Sequence, residues 1–329
     1  MVVIASVARN RSSLALGNII GSAISNILGA FSLGLLFYPK GAKIEFDRSS
    51  KVYSLLLLVL TAFVTLLTFF GKRGTWRLSG GILLALFVVY VISVAWAITR
   101  GIVTAPELSD SDDDDDSQES HGDSEEESSV NDEVGIARDG SRDVEVASPL
   151  LHRSSISEAS SGHHMIHARL RRPPQHSLIY HVAFLSLGFL SICLSGYVLS
   201  HASTTISDEL GISDVLFGIV ILSIATTLPE KFIAVISGAR GHAGILVANT
   251  VGSNIFLLAL CMGIVLVVTA GEFDAGSVNA AELGVMMGST VAVTATVWFG
   301  GNWSRWIGGA MFAAYIVFLV LEFTLIRKV

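Results

Sequence analysis

Eight stretches of the chain are apolar, nearly free of charge and long: residues 14–38, 52–70, 80–99, 178–200, 212–237, 244–270, 282–299 and 306–326. Runs of roughly 17 to 25 such residues are the sequence signal of a transmembrane helix. Between them stand turn residues, as in Pro39-Lys40-Gly41, Gly71-Lys72-Arg73-Gly74, Gly238-Ala239-Arg240-Gly241 and Gly300-Gly301-Asn302. The pattern predicts an all-α polytopic membrane protein of about eight helices, most of them joined by short turns.

One connection is different. Residues 101–177 hold Asp112 to Asp116, Glu125 to Glu127 and many serines, with almost no aromatics. Such a segment cannot bury enough apolar surface to offset its ordering entropy, which predicts a disordered acidic loop. The same segment explains the bulk charge of −7, because most acidic residues of the chain fall between 107 and 145. The remainder is close to neutral, 51% of the chain is hydrophobic and mean hydropathy is +0.63, so no nucleic-acid partner follows from charge. Short flanks on the side of the loop carry Lys40, Lys43, Arg48, Lys51, Arg100, Arg169, Arg171, Arg172, Arg240 and Arg305. Arg9, Arg11, Lys72, Arg73, Arg77, Arg327 and Lys328 fall opposite, and the positive-inside rule then puts the loop in the cytosol. At the N-terminus Arg9 and Arg11 follow an apolar start, the reverse of a signal peptide's order. Cys193 and Cys261 lie inside apolar spans, so no disulfide framework is implied.

The chemistry concentrates at Thr226-Thr227-Leu228-Pro229-Glu230, inside the fifth span. An ionisable residue at membrane depth is a functional-site hypothesis by default. Pro229 has no N–H and crowds the carbonyl of Ala225, which breaks the helix carrying Glu230. Carbonyls freed around Ser223 to Thr226 are tolerable in lipid where they line a cavity. With the threonine hydroxyls they would make an oxygen-rich turn of the kind a hard cation binds. Asn18, Ser22 and Asn26 recur every four residues on the first span, and Asn249 and Ser253 do so on the sixth, giving two polar stripes for the bundle interior.

An internal repeat connects these pieces. An offset of 231 lays Ser6 on Ser237, Arg9 on Arg240, Asn18 on Asn249, Gly21 on Gly252 and Ser22 on Ser253. The first three spans match the last three; the fourth and fifth have no counterpart in front. Residues 1–100 read as a partial first repeat, 101–177 as the loop and 178–329 as a complete second repeat of five helices. A five-helix unit repeated in sequence must face opposite ways across the membrane, the inverted plan of secondary transporters with a site at the repeat interface. The offset also predicts a second carboxylate, equivalent to Glu230, and two helices ahead of Met1.

Thr226-Thr227-Leu228-Pro229-Glu230 followed by Asn249-x-x-Gly252-Ser253-Asn254 resembles the second α-repeat of the calcium:cation antiporter superfamily, the sodium/calcium exchangers and their relatives (here residues 218–262). Gly17-Asn18-Ile19-Ile20-Gly21-Ser22-x-x-x-Asn26 is similar to the back half of the first α-repeat (residues 6–30). The acidic, serine-rich loop resembles that of the fungal branch related to the mitochondrial sodium/calcium exchanger. The resemblance implies a 5+5 inverted-repeat antiporter that exchanges Ca²⁺ for Na⁺, H⁺ or Li⁺ by alternating access, with no cofactor and no enzymatic activity. It implies Glu230 as the central carboxylate ligand and hydroxyl or carbonyl oxygens from Thr226, Thr227 and Ser223. Ser253 would face them from the next helix, and Ser22 and Asn26 from the first repeat, with Asn18 and Asn249 as ligands or as braces of the helix crossing. It also points to an endomembrane such as the vacuole. Two positions depart from the family pattern: Leu257 stands where Asn26 stands in the other copy, and Ala23 where Asn254 does.

Plainer readings compete. Glu230 could pair with Lys231, although adjacent residues point to different faces of a helix. Ser22, Asn26 and Ser253, with Gly21 and Gly252, could serve helix packing. The aspartate run, His163, His164 and His167 read as solvated loop rather than a metal site, Ser154 and Ser155 as phosphorylation candidates, and Glu272, Asp274 and Glu282 as exposed loop charges. The expected partners are Ca²⁺, a monovalent counter-cation and the bilayer, with the loop as a docking segment for cytosolic regulators. A non-transporting membrane scaffold with a vestigial cation site is the alternative function; a channel is a third.

Overall fold

The computed structural model describes residues 2–41, 43–71, 75–100, 178–270 and 278–326. The acidic loop with its histidines and serines, Lys72, Arg73, Glu272, Asp274, Arg327 and Lys328 lie outside the described residues. Every regular element among the described residues is helical.

A short helix α1 (Val2–Ala8) precedes the first span, which is built from α2 (Ser12–Ile24), a wide-turned stretch π1 (Ser25–Phe31) and α3 (Ser32–Leu36). α4 (Arg48–Phe70), α5 (Trp76–Thr99) and α6 (Leu178–Leu210) follow. The fifth span runs through α7 (Asp214–Leu216), π2 (Phe217–Leu222) and α8 (Ser223–Thr226) into α9 (Leu228–Ala239), with a bend of 48° between its halves. The sixth is α10 (Ala243–Ile255), π3 (Phe256–Cys261) and α11 (Met262–Thr269). α12 (Ala280–Phe299), a 3-10 turn, α13 (Ser304–Leu321) and π4 (Glu322–Ile326) complete the chain. Seven helices are long and apolar enough to cross a membrane, and the bent pair makes eight crossings. The molecule is a multi-pass membrane protein, as the apolar runs predict; α1 and the ten extra residues of the fourth helix beyond Ser200 are additions to that expectation.

Side chains at the helix ends explain where the helices start. Asp47 caps α4, accepting from the Ser50 N–H at 3.2 Å and from the Ser50 hydroxyl. Ser213 caps α7 by accepting from the Leu216 N–H at 3.2 Å. At α12 Asn279 and Glu282 form a capping box, in which Glu282 Oε2 accepts from the Asn279 N–H at 2.9 Å. Glu282 is therefore not the exposed loop charge expected from sequence: it is fully buried, at the third position of a helix whose orphan N–H groups it helps to satisfy.

Position in the bundle follows from burial. In the first span 89% of the apolar window is buried, against 6% in α5 and in the fourth helix. The first span is thus the centre, while Val88, Val89 and Ile92 of α5 and Phe184, Leu185 and Leu187 of α6 form apolar faces for lipid. Glycines let the centre close. A Cβ on Gly21 would stand 2.3 Å from the Ile219 carbonyl oxygen, and one on Gly218 would stand 2.8 Å from that of Leu14. α2 and π2 therefore cross backbone against backbone. Arg11 fixes one end of this crossing, reaching Asp208 at 2.8 Å and Asp214 at 3.1 Å.

Element starts keep the sequence offset: Ser12 of α2 and Ala243 of α10, Ser25 of π1 and Phe256 of π3 are each 231 apart. Packing is exchanged between the copies accordingly. α3 packs on α13, its counterpart α11 packs on α5, and α4 packs on α12.

Candidate cation site

The fifth span breaks at Thr227, where φ is −104° and ψ is 11°. Pro229 sits in the first turn of α9, where its missing N–H costs nothing. The threonine hydroxyls fold back onto carbonyls of the preceding turn. Thr226 Oγ1 donates to the Leu222 carbonyl at 2.9 Å, and Thr227 Oγ1 to that of Ser223 at 2.6 Å. The Ser223 carbonyl also accepts from the Thr227 N–H at 3.1 Å. Glu230 lies in the first turn of α9, at the positive end of the helix dipole, which favours a carboxylate there.

A cavity of about 900 Å³ opens beside this break. Asn18, Ser22 and Asn26 form one wall, Thr226, Thr227, Pro229 and Glu230 a second, and Gly252, Ser253, Phe256, Leu257 and Cys261 a third. Ser191, Ile192, Ser195, Gly196 and Leu199 of α6 and Val2 and Val3 of α1 complete the lining. Asn18 Oδ1 accepts from Ser22 Oγ at 3.3 Å and lies 3.4 Å from Thr226 Oγ1, linking first span to fifth. Asn26 Nδ2 donates to Asn254 Oδ1 at 3.4 Å, linking first to sixth. Around the cavity, among the described residues, three buried polar atoms are left with no hydrogen-bond partner: Glu230 Oε2, Asn26 Oδ1 and Asn254 Nδ2. A buried carboxylate oxygen and a buried amide oxygen without donors are costly unless something positive binds them.

Of the nine residues singled out from sequence, seven line the cavity: Asn18, Ser22, Asn26, Thr226, Thr227, Glu230 and Ser253. Ser223 does not; its hydroxyl turns back to the carbonyls of Ile219 and Val220, and its own carbonyl is occupied by Thr227. Asn249 does not either. Its Nδ2 donates to the Glu230 backbone carbonyl at 3.2 Å, bracing α9 against α10. Glu230 and Lys231 do not pair, because Lys231 Nζ turns to Ser25 at 2.8 Å and Thr227 Oγ1 at 2.5 Å. Gly21 serves the helix crossing, whereas Gly252 lines the cavity, with only the Tyr90 hydroxyl 3.8 Å from where a Cβ would stand. Asn254, whose place Ala23 takes in the other copy, is fully buried against Asn26. Ser191 and Ser195 were not singled out, although their spacing of four on an apolar helix is a readable stripe.

The donors are carboxylate, amide and hydroxyl oxygens, which suit hard cations such as Ca²⁺ and Na⁺. Among the described residues no cluster of three His, Cys, Asp or Glu exists that could hold a metal ion, so Glu230 is joined by neutral oxygens rather than by further carboxylates.

The sequence matches the family described as sodium/calcium exchanger protein over residues 1–96 and 180–324. The chain belongs to that family. Its members are transporters, not enzymes. Sodium/calcium exchanger MaX1 of Methanosarcina acetivorans is 27% identical over 145 residues, which is 42% of this chain and 39% of that protein. Inner membrane protein YrbG of Escherichia coli is 33% identical over 96 residues, 28% of this chain and 29% of that protein. The alignments thus span well under half of these relatives. Two solved structures share the fold. Native YfkE has a TM-score of 0.62 at 14% identity, covering 98% of this chain and 79% of that one. The sodium-calcium exchanger NCX_Mj has 0.55 at 18% identity, covering 96% and 78%.

Proposed function

We propose that the cavity binds Ca²⁺ and a competing monovalent cation, Na⁺ or else H⁺ or Li⁺, and exchanges them across the membrane by alternating access, with Glu230 as the central ligand. One observation carries this reading: Glu230 Oε2 and Asn26 Oδ1, both buried and unpartnered, belong to residues that line one cavity whose wall is otherwise largely apolar. Ser22, Thr226 and Ser253 supply further oxygens, and Asn18 orients the Ser22 hydroxyl. The family membership and the exchange named for MaX1 support the same reading. The two sets of elements related by the offset of 231 serve as inverted repeats, and the excess of basic flanks puts residues 101–177 in the cytosol, where regulators could reach them.

The test is equilibrium dialysis of purified protein with radioactive Ca²⁺. Binding should be saturable and displaced by Na⁺, or by lowered pH if protons are the counter-ion. Absence of any Ca²⁺, Na⁺ or proton competition at this cavity would sink the proposal. A second reading, binding without transport, draws on the cavity having one carboxylate among the described residues. It predicts Ca²⁺ binding but no gradient-driven Ca²⁺ flux in proteoliposomes.

A further inference from the structure

The ammonium of Lys231 is held entirely by neutral oxygens. Nζ donates to Ser25 Oγ at 2.8 Å and Thr227 Oγ1 at 2.5 Å, and the Thr227 carbonyl lies at 3.5 Å. Ser25 Oγ is 3.0 Å from Thr227 Oγ1 and 2.8 Å from the Tyr315 hydroxyl, so π1, the α8–α9 break and α13 all contribute to the nest. Among the described residues Lys231 makes no ion pair. Space for its stem comes from Gly29, where a Cβ would stand 3.3 Å from Lys231 Cε. A lysine inside an apolar bundle pairs with an acidic group or with backbone carbonyls. This one is arranged as an alkali ion would be: one positive charge among converging hydroxyl and carbonyl oxygens.

We propose that Lys231 is a resident cation. Its ammonium fills an oxygen nest that would otherwise take a monovalent ion, and it shares Thr227 with the cavity wall. Two consequences follow. The protein needs one fewer monovalent ion from solution to fill its oxygen sites. The fixed charge, one residue from Glu230, also weakens Ca²⁺ binding and so favours release. The proposal rests on the cation-binding reading of the cavity, but only its second consequence requires Ca²⁺.

The test compares the wild-type chain with Lys231→Met, Lys231→Gln and Lys231→Arg, all purified. Thermal unfolding is read in EGTA with sodium, potassium or lithium chloride against choline chloride, and Ca²⁺ affinity is read in choline chloride. Lys231→Met should gain a saturable stabilisation by one of the alkali ions that the wild type lacks, and adding Ser25→Ala should remove that gain. Lys231→Met and Lys231→Gln should bind Ca²⁺ about tenfold more tightly or better, since a like charge is removed from the neighbourhood, while Lys231→Arg should not. A strut without an electrostatic role predicts equal loss of stability in every salt and unchanged Ca²⁺ affinity; that result, in Lys231→Met or in the hydrogen-bonding Lys231→Gln if Met does not fold, overturns the proposal. If the wild type binds no Ca²⁺, the cavity reading fails, while the alkali-ion comparison still decides the nest.

Discussion

Replacing Glu230 by Gln should make the ion-free protein more stable and the Ca²⁺-bound protein weaker. In the ion-free state Oε2 is buried without a donor, so neutralising it relieves desolvation of about 1–3 kcal/mol. In the bound state the same change removes a charge from a divalent ion. A unit pair at 4 Å and an effective dielectric of 20 is worth about 4 kcal/mol, and a divalent ion doubles it. Carboxylate desolvation offsets several kcal/mol of this, leaving about 3–4 kcal/mol, or a loss of roughly 100- to 1000-fold in affinity. The assay is thermal unfolding of purified wild type and Glu230→Gln in EGTA and across a Ca²⁺ titration. In EGTA the variant should unfold at the higher temperature, and Ca²⁺ should raise the melting temperature of the wild type alone. A variant that melts lower in EGTA and keeps the Ca²⁺ shift refutes the argument, because Glu230 would then be a structural group with a partner.

Other changes probe the surroundings. Leu257→Asn adds an amide oxygen to the cavity wall at the position matching Asn26, so Na⁺ should displace bound Ca²⁺ at lower concentration; an unchanged displacement curve refutes this. Gly21→Ala drives a Cβ into the Ile219 backbone, which cannot swing away, and should cost about 1–3 kcal/mol, visible as a lower melting temperature, whereas Gly252→Ala should be tolerated. Hydrogen bonds hold the Asp47 pKa below its usual 3.8: burial pushes it up, but the Ser50 side chain and backbone and the Ser49 hydroxyl together outweigh that. A depressed carboxylate stabilises above its unfolded pKa and loses the effect as pH falls through the folded value. Asp47→Ala should therefore lower stability by about 0.5–1 kcal/mol at neutral pH, and the gap to wild type should close as the pH falls below the usual carboxylate range.

The spans were legible because lipid imposes a length and a composition, and the break at Thr227 was legible because proline removes an N–H that the helix needs. Glu230 announced itself as a charge in an apolar run. What the sequence does not show is where a polar side chain turns. Asn249 and Ser253 share a stripe, yet Asn249 reaches the Glu230 backbone while Ser253 reaches the cavity. Ser223 was expected to offer a free carbonyl, but the neighbouring threonines fold back onto it. Glu282 looked like a loop charge because its helix was placed to begin at residue 282 itself, although Asn279 three positions earlier is the capping signature. The wide-turned stretches have no composition of their own, since an i to i+5 hydrogen bond asks nothing particular of the side chains.

Those stretches bear on how the chain tolerates insertion and deletion. A π-turn holds about one residue more than an α-turn, so losing a residue there can be absorbed by tightening, with everything beyond kept in register. The same deletion within α12 would swing every later side chain by about 100° around the axis. π1 has seven residues and π3 six, at positions 231 apart; π1 takes in Asn26, the last residue of its span's polar stripe, and π3 begins just after Ser253, the last of its own. Length can therefore differ between the copies at these points while Asn18 and Ser22, or Ser253 and Asn254, keep their bearing toward one another.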